Sequence, residues 1–175
     1  MRHPLESVPQ DSRKRFFFTF LFLTVVLLAV FRVLDKPLQT SYAPSGIVSF
    51  ELAGNAQSAA HMVYSWSPEA WLNASFGLGI DYLFMPVYAF ALAFGTLLAA
   101  GKYTGWLRSL GAVAGYGAFA AAVFDAVENF ALFQVLSGAF DSAYPSVAAI
   151  CATIKFSLIL LGLLYGLVGW AIPKK

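Results

Sequence analysis

FFFTFLFLTVVLLAVFRVL, at residues 16–34, is an apolar run broken by one charged residue, Arg32. A helix needs about 20 such residues to cross a hydrocarbon core ~30 Å thick, so the run predicts a transmembrane helix. A basic flank such as residues 13–15 (RKR) also precedes the apolar part of a signal peptide. The best small-residue cleavage site, residues 41–43, is followed directly by Pro44, which disfavours cleavage. We therefore expect the run to be retained as the first helix.

The composition extends this prediction to the whole chain. Of its 175 residues, 59% are hydrophobic and only 11% are charged, whereas soluble proteins carry about 25% charged residues. So few charges do not cover a water-facing surface. Further apolar stretches at 78–100, 107–137 and 145–170 are each long enough to span a bilayer. The predicted fold class is an all-α membrane protein, a bundle of about four transmembrane helices in a single integral membrane domain over 1–175.

Residues 35–77 form the longest predicted segment between spans. Asn55 is a suitable helix N-cap in front of AQSAAHMVYSW (56–66), whose apolar residues recur at helical spacing. This pattern predicts an amphipathic helix on the extracytoplasmic membrane surface, between the first two spans. Residues 67–69, Ser-Pro-Glu, give the cap, proline and acid of another helix start.

The basic residues predict the orientation. Eight of the 11 Lys and Arg residues fall on one side of a four-span arrangement, and cytoplasmic loops carry the excess of Lys and Arg. Both termini and the loop at 101–108 are therefore predicted to be cytoplasmic, and the expected location is a bacterial inner (plasma) membrane. These eight are Arg2, Arg13, Lys14, Arg15, Lys102, Arg108, Lys174 and Lys175.

Ionisable residues inside the spans are the most informative feature. The third span contains DAVEN (125–129), in which spacings of three and four residues place the two acids and the asparagine on one helix face. The fourth span carries one lysine at a similar predicted depth, and a pair of small residues, Gly162 and Gly166, that permits close helix approach. A polar pocket is predicted, and its candidate lining residues are Asp81, Tyr88, Asp125, Glu128, Asn129 and Lys155.

The energetic cost of these residues favours a functional role. A charge at the centre of a spanning helix costs about 2.5–3.5 kcal/mol. Two carboxyl groups one turn apart in a low dielectric are not expected to be ionised together, so one holds a proton near neutral pH. Such a site suits a cation, an amine or a proton. The alternative is that the polar groups only bond helices together, each contributing about 0.6 kcal/mol.

Several classes of site have no support in the sequence. Cys151 is the single cysteine, and His3 and His61 are the only histidines, so we predict no disulfide within the chain and no metal site. No phosphate-binding glycine loop or nucleophile motif is present. No nucleic-acid partner is predicted, since the net charge is only +2. We also predict no cofactor, and we assign no catalytic residue.

Three functions remain open. The favoured one is a protein that binds or carries a small amphipathic, lipid-like or cationic ligand, or protons, and for which homo-oligomers are expected. The second is an accessory or assembly subunit of a membrane complex, in which the polar cluster specifies helix pairing. The third is an intramembrane lipid-modifying enzyme that uses Asp125 or Glu128 as general acid/base, with Lys155 stabilising charge.

Overall fold

The computed structural model describes residues 2–171, a range that is largely helical and contains no strands. Short 3₁₀ turns at Pro4–Ser7 and Lys36–Leu38 accompany the α-helices. The helices are α1 (Gln10–Asp35), α2 (Ile47–Glu51), α3 (Ala56–Ser65), α4 (Pro68–Ala100), α5 (Gly105–Leu136) and α6 (Tyr144–Ala171).

Within residues 2–171, the four helices long and apolar enough to cross a membrane are α1, α4, α5 and α6. The all-helical class and the number of such helices are thereby confirmed. In α1 no residue is buried, and Phe22 is 66% exposed. Apolar surface on this scale is not left facing water in soluble proteins, which is consistent with an integral membrane protein.

The predicted spans overlap these helices, with one large difference in length. The helix predicted at 78–100 begins at Pro68, because the start signal at residues 67–69 opens the same helix. Ser67 Oγ accepts the N–H of Ala70 at 3.2 Å, and proline suits the first helical position. Neither Gly77 nor Gly79 interrupts the helix. Likewise, α1 begins at Gln10, ahead of the predicted residue 16.

The chain folds into two compact units. Unit 1 comprises Met1–Val25, Met85–Val123 and Lys155–Lys175, and unit 2 comprises Val26–Phe84 and Phe124–Ile154. The single domain expected over 1–175 stays a prediction.

Unit 1 contains close helix contacts at small residues. A methyl group at Gly162 would lie 2.9 Å from the side chain of Leu92, and one at Gly169 would lie 2.6 Å from Ala99. Gly166, the other member of the predicted small-residue pair, has no neighbouring element within 4 Å of such a methyl group. Close approach of α6 to α4 in this unit therefore depends on Gly162 and Gly169, and Gly166 does not contribute.

Unit 2 has a buried apolar core that includes the segment between α1 and α4. The predicted helix at 56–66 is present as α3, and Asn55 Oδ1 caps it by accepting the N–H of Ser58 at 2.9 Å. Ala59 and Val63 of this helix are buried in the core, whereas Tyr64 is 77% exposed. The placement of the helix on an extracytoplasmic membrane surface stays a prediction. The buried cluster consists of Leu38, Phe50, Ala59, Val63, Trp66, Ala70, Ala74, Leu78, Ala131, Leu132, Val135, Leu136 and Ala148.

Polar contacts join the beginning of this segment, just after α1, to its end, just before α4. Trp66 Nε1 donates to the carbonyl of Leu38 at 2.8 Å, and the indole meets the ring of Phe50 edge-on at 5.2 Å. The hydroxyls of Thr40 and Ser65 are 2.8 Å apart. Because the indole N–H is satisfied inside the core, the tryptophan is buried without an orphaned donor.

The turn before α2 requires glycine. Gly46 has a φ of 57°, and a Cβ there would overlap the carboxylate of Asp35. That carboxylate accepts the N–H of Ile47 at 2.7 Å and the side-chain amide of Gln39 at 3.2 Å. The close approach of backbone to carboxylate therefore sets the direction in which the chain leaves α1.

Gly46→Ala is expected to lower the thermal midpoint in detergent, with a loss of about 1–3 kcal/mol from the strained backbone and a further loss from displacement of Asp35. The matched control is Gly77→Ala, because that glycine lies inside α4 and a methyl group there meets nothing within 4 Å. The control should be neutral or slightly stabilising. Equal midpoints for the two variants would contradict this account of the turn.

Candidate functional site

The residues predicted to form one polar pocket are divided between the two units. Tyr88 and Lys155 belong to unit 1, whereas Asp81, Asp125, Glu128 and Asn129 belong to unit 2. Of the unit 2 residues, the structure joins Asp81 directly to Asn129. A pocket shared by all six stays a prediction.

Asn129 links α5 to α4. Its side chain is 1% exposed, and its Nδ2 donates to Asp81 Oδ2 at 2.9 Å and to the carbonyl of Leu78 at 3.3 Å. Nearby, the hydroxyl of Tyr82 donates to the carbonyl of Ala126 at 3.2 Å. The hydrogen bonds of Asn129 and of Tyr82 all run between α4 and α5, so they fix the register of the two helices in unit 2.

The same bonds determine which way the Asn129 amide points. Both N–H groups serve acceptors on α4, so the amide oxygen faces away from Asp81. This Oδ1 is buried and has no hydrogen-bond partner among residues 2–171. A buried acceptor left unsatisfied costs about 1–3 kcal/mol, and native proteins keep few of them. The site therefore presents a buried acceptor suited to an N–H donor.

Two carboxyl groups share this helix face. Asp125 is 2% exposed and Glu128 is fully buried at 0%, and both interact with other groups of the protein. With Asn129 they lie three and four residues apart, hence on one side of α5. The buried polar side chains of unit 2 are Glu51, Asp125, Glu128 and Asn129, all of which carry acceptor oxygens. The buried polar part of unit 2 is therefore rich in acceptors.

The two candidates in unit 1 are also buried. Lys155 is 4% exposed, and its Nζ lies 4.7 Å from the ring centroid of Phe156. An ammonium group over an aromatic face is stabilised by the ring quadrupole. Tyr88 is 6% exposed. Across the part of the chain that the structure describes, no three His, Cys, Asp or Glu side chains are grouped as metal ligands.

His3 is a buried polar residue that the sequence analysis did not anticipate. His3 is 4% exposed, and its ring packs on Tyr116 with centroids 4.3 Å apart. Its side-chain Nδ1 accepts the backbone N–H of Leu5 at 3.2 Å, and the backbone N–H of His3 donates to Glu6 Oε1 at 3.1 Å. This is a reciprocal capping box, and an acid three residues after a capping side chain was the signal in the sequence. Arg108 Nη2 completes the group by donating to Glu6 Oε2 at 2.8 Å.

The electrostatic shifts follow from these contacts. Burial lowers the pKa of His3 below its ordinary 6.5, and the charge of Glu6 opposes that shift only in part. For Glu6, burial raises the pKa, but the hydrogen bonds from His3 and Arg108 outweigh it, together with the charges of Arg108 and Arg13. The pKa of Glu6 is consequently below its ordinary 4.5.

Comparisons with protein-family models, curated proteins and solved structures give no significant match to this chain. Its function has to be argued from its own residues.

Asn129→Ala is expected to lower the thermal midpoint by an amount that corresponds to about 1–3 kcal/mol, because the Asp81 carboxylate loses a buried donor. Asn129→Asp should be worse, since it sets a carboxylate against Asp81. Asn73→Ala, at a half-buried asparagine of α4, is the control and should change the midpoint by less than about 0.5 kcal/mol. A midpoint for Asn129→Ala that equals the control would contradict a structural link between α4 and α5.

Proposed function

We propose that this chain is a multi-pass integral membrane protein that binds a cationic ligand, an amine-bearing amphiphile or a proton, at the buried acceptors of unit 2. The observation that carries this proposal is the α5 face of Asp125, Glu128 and Asn129, where the amide oxygen of the asparagine remains a buried acceptor beside two buried carboxyl groups. Ionisable groups within spanning helices are expensive, so they mark functional sites by default.

The distribution of charge supports the membrane orientation that we propose. Among residues 2–171, six of the nine Lys and Arg residues lie at 2–15 or in 102–108. Trp106 and Trp170 are exposed, as expected of tryptophans at a membrane interface. The positive-inside rule then assigns both termini and the α4–α5 loop to the cytoplasm of a bacterial inner membrane.

The chemistry of the site favours a donor-rich cation. An ammonium group brings several N–H donors to the Asn129 oxygen and the carboxyl oxygens, and hydrogen bonds that involve a charged group are the stronger ones. The apolar tail of such a ligand would lie among the exposed apolar side chains of the helices.

Decylamine, which is an ammonium ion at neutral pH, is a suitable probe in a non-ionic maltoside detergent. It should raise the thermal midpoint of the wild-type protein, because a ligand of the folded state stabilises by mass action. Asp125→Asn and Glu128→Gln should each weaken the apparent affinity about tenfold or more, as expected for loss of a charge-assisted hydrogen bond. Asp141→Asn, at an exposed acid of unit 2, should bind as the wild type does.

Two further probes separate specific binding from detergent effects. Decyltrimethylammonium has the charge without N–H donors and should stabilise less, and decanoate should not stabilise. Equal responses to all three compounds would rule the proposal out. A sharp fall in the midpoint of both carboxyl variants, with the decylamine response intact, would instead assign the cluster to helix pairing.

One observation favours an accessory or assembly subunit as the second candidate. The whole of α1 lacks a buried residue, and Phe18 and Phe22 are 56% and 66% exposed. A helix this open offers a broad face to a partner helix as well as to lipid. A lipid-modifying enzyme, the third candidate, would use Asp125 or Glu128 as general acid/base. Among residues 2–171, the structure adds no further group in support of that chemistry.

The proposed orientation has its own test, in a Cys151→Ser background with single cysteines at Ser142 and Thr104. Both positions are exposed and lie in the α5–α6 and α4–α5 connections. A membrane-impermeant maleimide should label Ser142→Cys on intact cells, and Thr104→Cys only after permeabilisation. The reverse pattern would invert the proposed topology, and labelling of both on intact cells would contradict it.

A further inference from the structure

The segment before α1 is docked into unit 1. Residues 2–7, which we call the His3 segment, place the imidazole over Gly115 of α5. A methyl group at Gly115 would lie 3.3 Å from His3 Cδ2 and 3.6 Å from the hydroxyl of Thr96 on α4. The ring therefore occupies space that exists because α5 carries no side chain at this position. Phe119 lies on a further side of the ring, with centroids 6.1 Å apart.

Two polar contacts hold the segment at its ends. The hydroxyl of Tyr116 donates to the carbonyl of Arg2 at 3.4 Å, and Arg108 forms the 2.8 Å ion pair with Glu6. Both partners lie on α5. Arg108 is 54% exposed at its side chain, so the ion pair contributes little on its own, and the buried imidazole is the main anchor.

The hydrogen bonds of His3 allow only its neutral form. Because Nδ1 accepts the N–H of Leu5, the proton of the neutral ring is on Nε2. Nε2 is buried without a hydrogen-bond partner. A second proton has to enter at Nδ1, where it would face the N–H of Leu5 and break the cap. The resulting imidazolium would be a buried charge with no acceptor at either nitrogen.

We propose that the His3 segment is a proton-operated latch, docked against α5 at Gly115 while His3 is neutral and released when His3 is protonated. This regulatory role concerns unit 1 alone and does not rest on the ligand proposed for unit 2.

The charged surroundings of the imidazole do not rescue its protonated form. Glu6 of the same segment is an anion, but it is already engaged by Arg108 of α5 and lies in the field of Arg13 of α1. From α5 the ring also packs against Tyr116 and Phe119. The charge of Glu6 favours the protonated ring, but it offsets the cost of burial only in part.

The direction of the pH effect follows from the shifted values. A released His3 titrates near 6.5, and burial gives the docked His3 a lower pKa. Docking is therefore complete above about pH 6.5 and weakens as the pH falls below it, because the released state binds the proton better. The lowered pKa of Glu6 affects the stability of docking only below about pH 4.5. Between pH 7.5 and 5.5, the change in docking therefore comes from His3 and not from Glu6.

Hydrogen–deuterium exchange of the full-length protein in detergent tests the latch. The N–H groups of Leu5, Glu6 and Val8 are all hydrogen-bonded within the docked segment. Their protection factors, corrected for the intrinsic pH dependence of exchange, should fall by as much as about tenfold from pH 7.5 to 5.5. His61→Asn, at the other histidine, which is exposed, should show the same fall.

His3→Asn provides the decisive variant. Asparagine is a good N-cap that accepts the Leu5 N–H without titrating, so protection should be retained and should not change between the two pH values. Glu6→Gln keeps His3 but weakens the Arg108 contact and removes the anion that favours the protonated ring. It should lower protection at pH 7.5 and leave the fall towards pH 5.5 as large as in the wild type or larger. The proposal is overturned if wild-type protection is the same at pH 7.5 and 5.5, or if His3→Asn keeps the wild-type pH dependence.

Discussion

The link between Asn129 and α4 is the constraint on which unit 2 depends. One amide serves both the Asp81 carboxylate and the Leu78 carbonyl, and the side chain of that same Leu78 belongs to the apolar core. The polar and apolar parts of the α4–α5 interface therefore meet at one residue. A slip of one position would separate the amide from both acceptors and turn Leu78 out of the core, so the two kinds of interaction enforce the same register.

This register also explains why α4 extends to Pro68. Ala70, Ala74 and Leu78 recur at a spacing of four residues and are all buried, so the face that carries the polar link continues as an apolar stripe. The residues between α1 and α4 fold against that stripe and bring in Phe50, Val63 and Trp66. The buried residues Ala59 and Val63 of the amphipathic helix α3 thus pack in the same apolar core as the first turns of α4.

Hydropathy and cap chemistry predicted the four long helices and the start signals at Asn55 and residues 67–69, because these depend on the local chain. The spacing within DAVEN predicted a shared face, and the structure buries all three polar residues of that face. Periodicity identifies an apolar face but not what covers it, so the sequence did not indicate that Ala59 and Val63 of α3 belong to a protein core. His3 escaped prediction for a related reason: a short polar flank is buried only when another helix, here at Gly115, leaves room for it.

Asn129 in unit 2 and His3 in unit 1 each keep a buried atom without a hydrogen-bond partner, and in both residues a hydrogen bond at the other end of the same group determines which atom that is. Turning the Asn129 amide would satisfy nothing, since its oxygen would then face the Asp81 carboxylate. Turning the His3 ring would remove the acceptor from the Leu5 N–H. The orphaned atoms are an acceptor at Asn129 Oδ1 and a donor at His3 Nε2, each costing about 1–3 kcal/mol. At Asn129, a buried acceptor beside carboxyl groups favours the binding of a cation. At His3, the docked ring does not accommodate a second proton, so protonation favours release of the His3 segment. The same physical cost therefore makes one site suited to binding and the other suited to release.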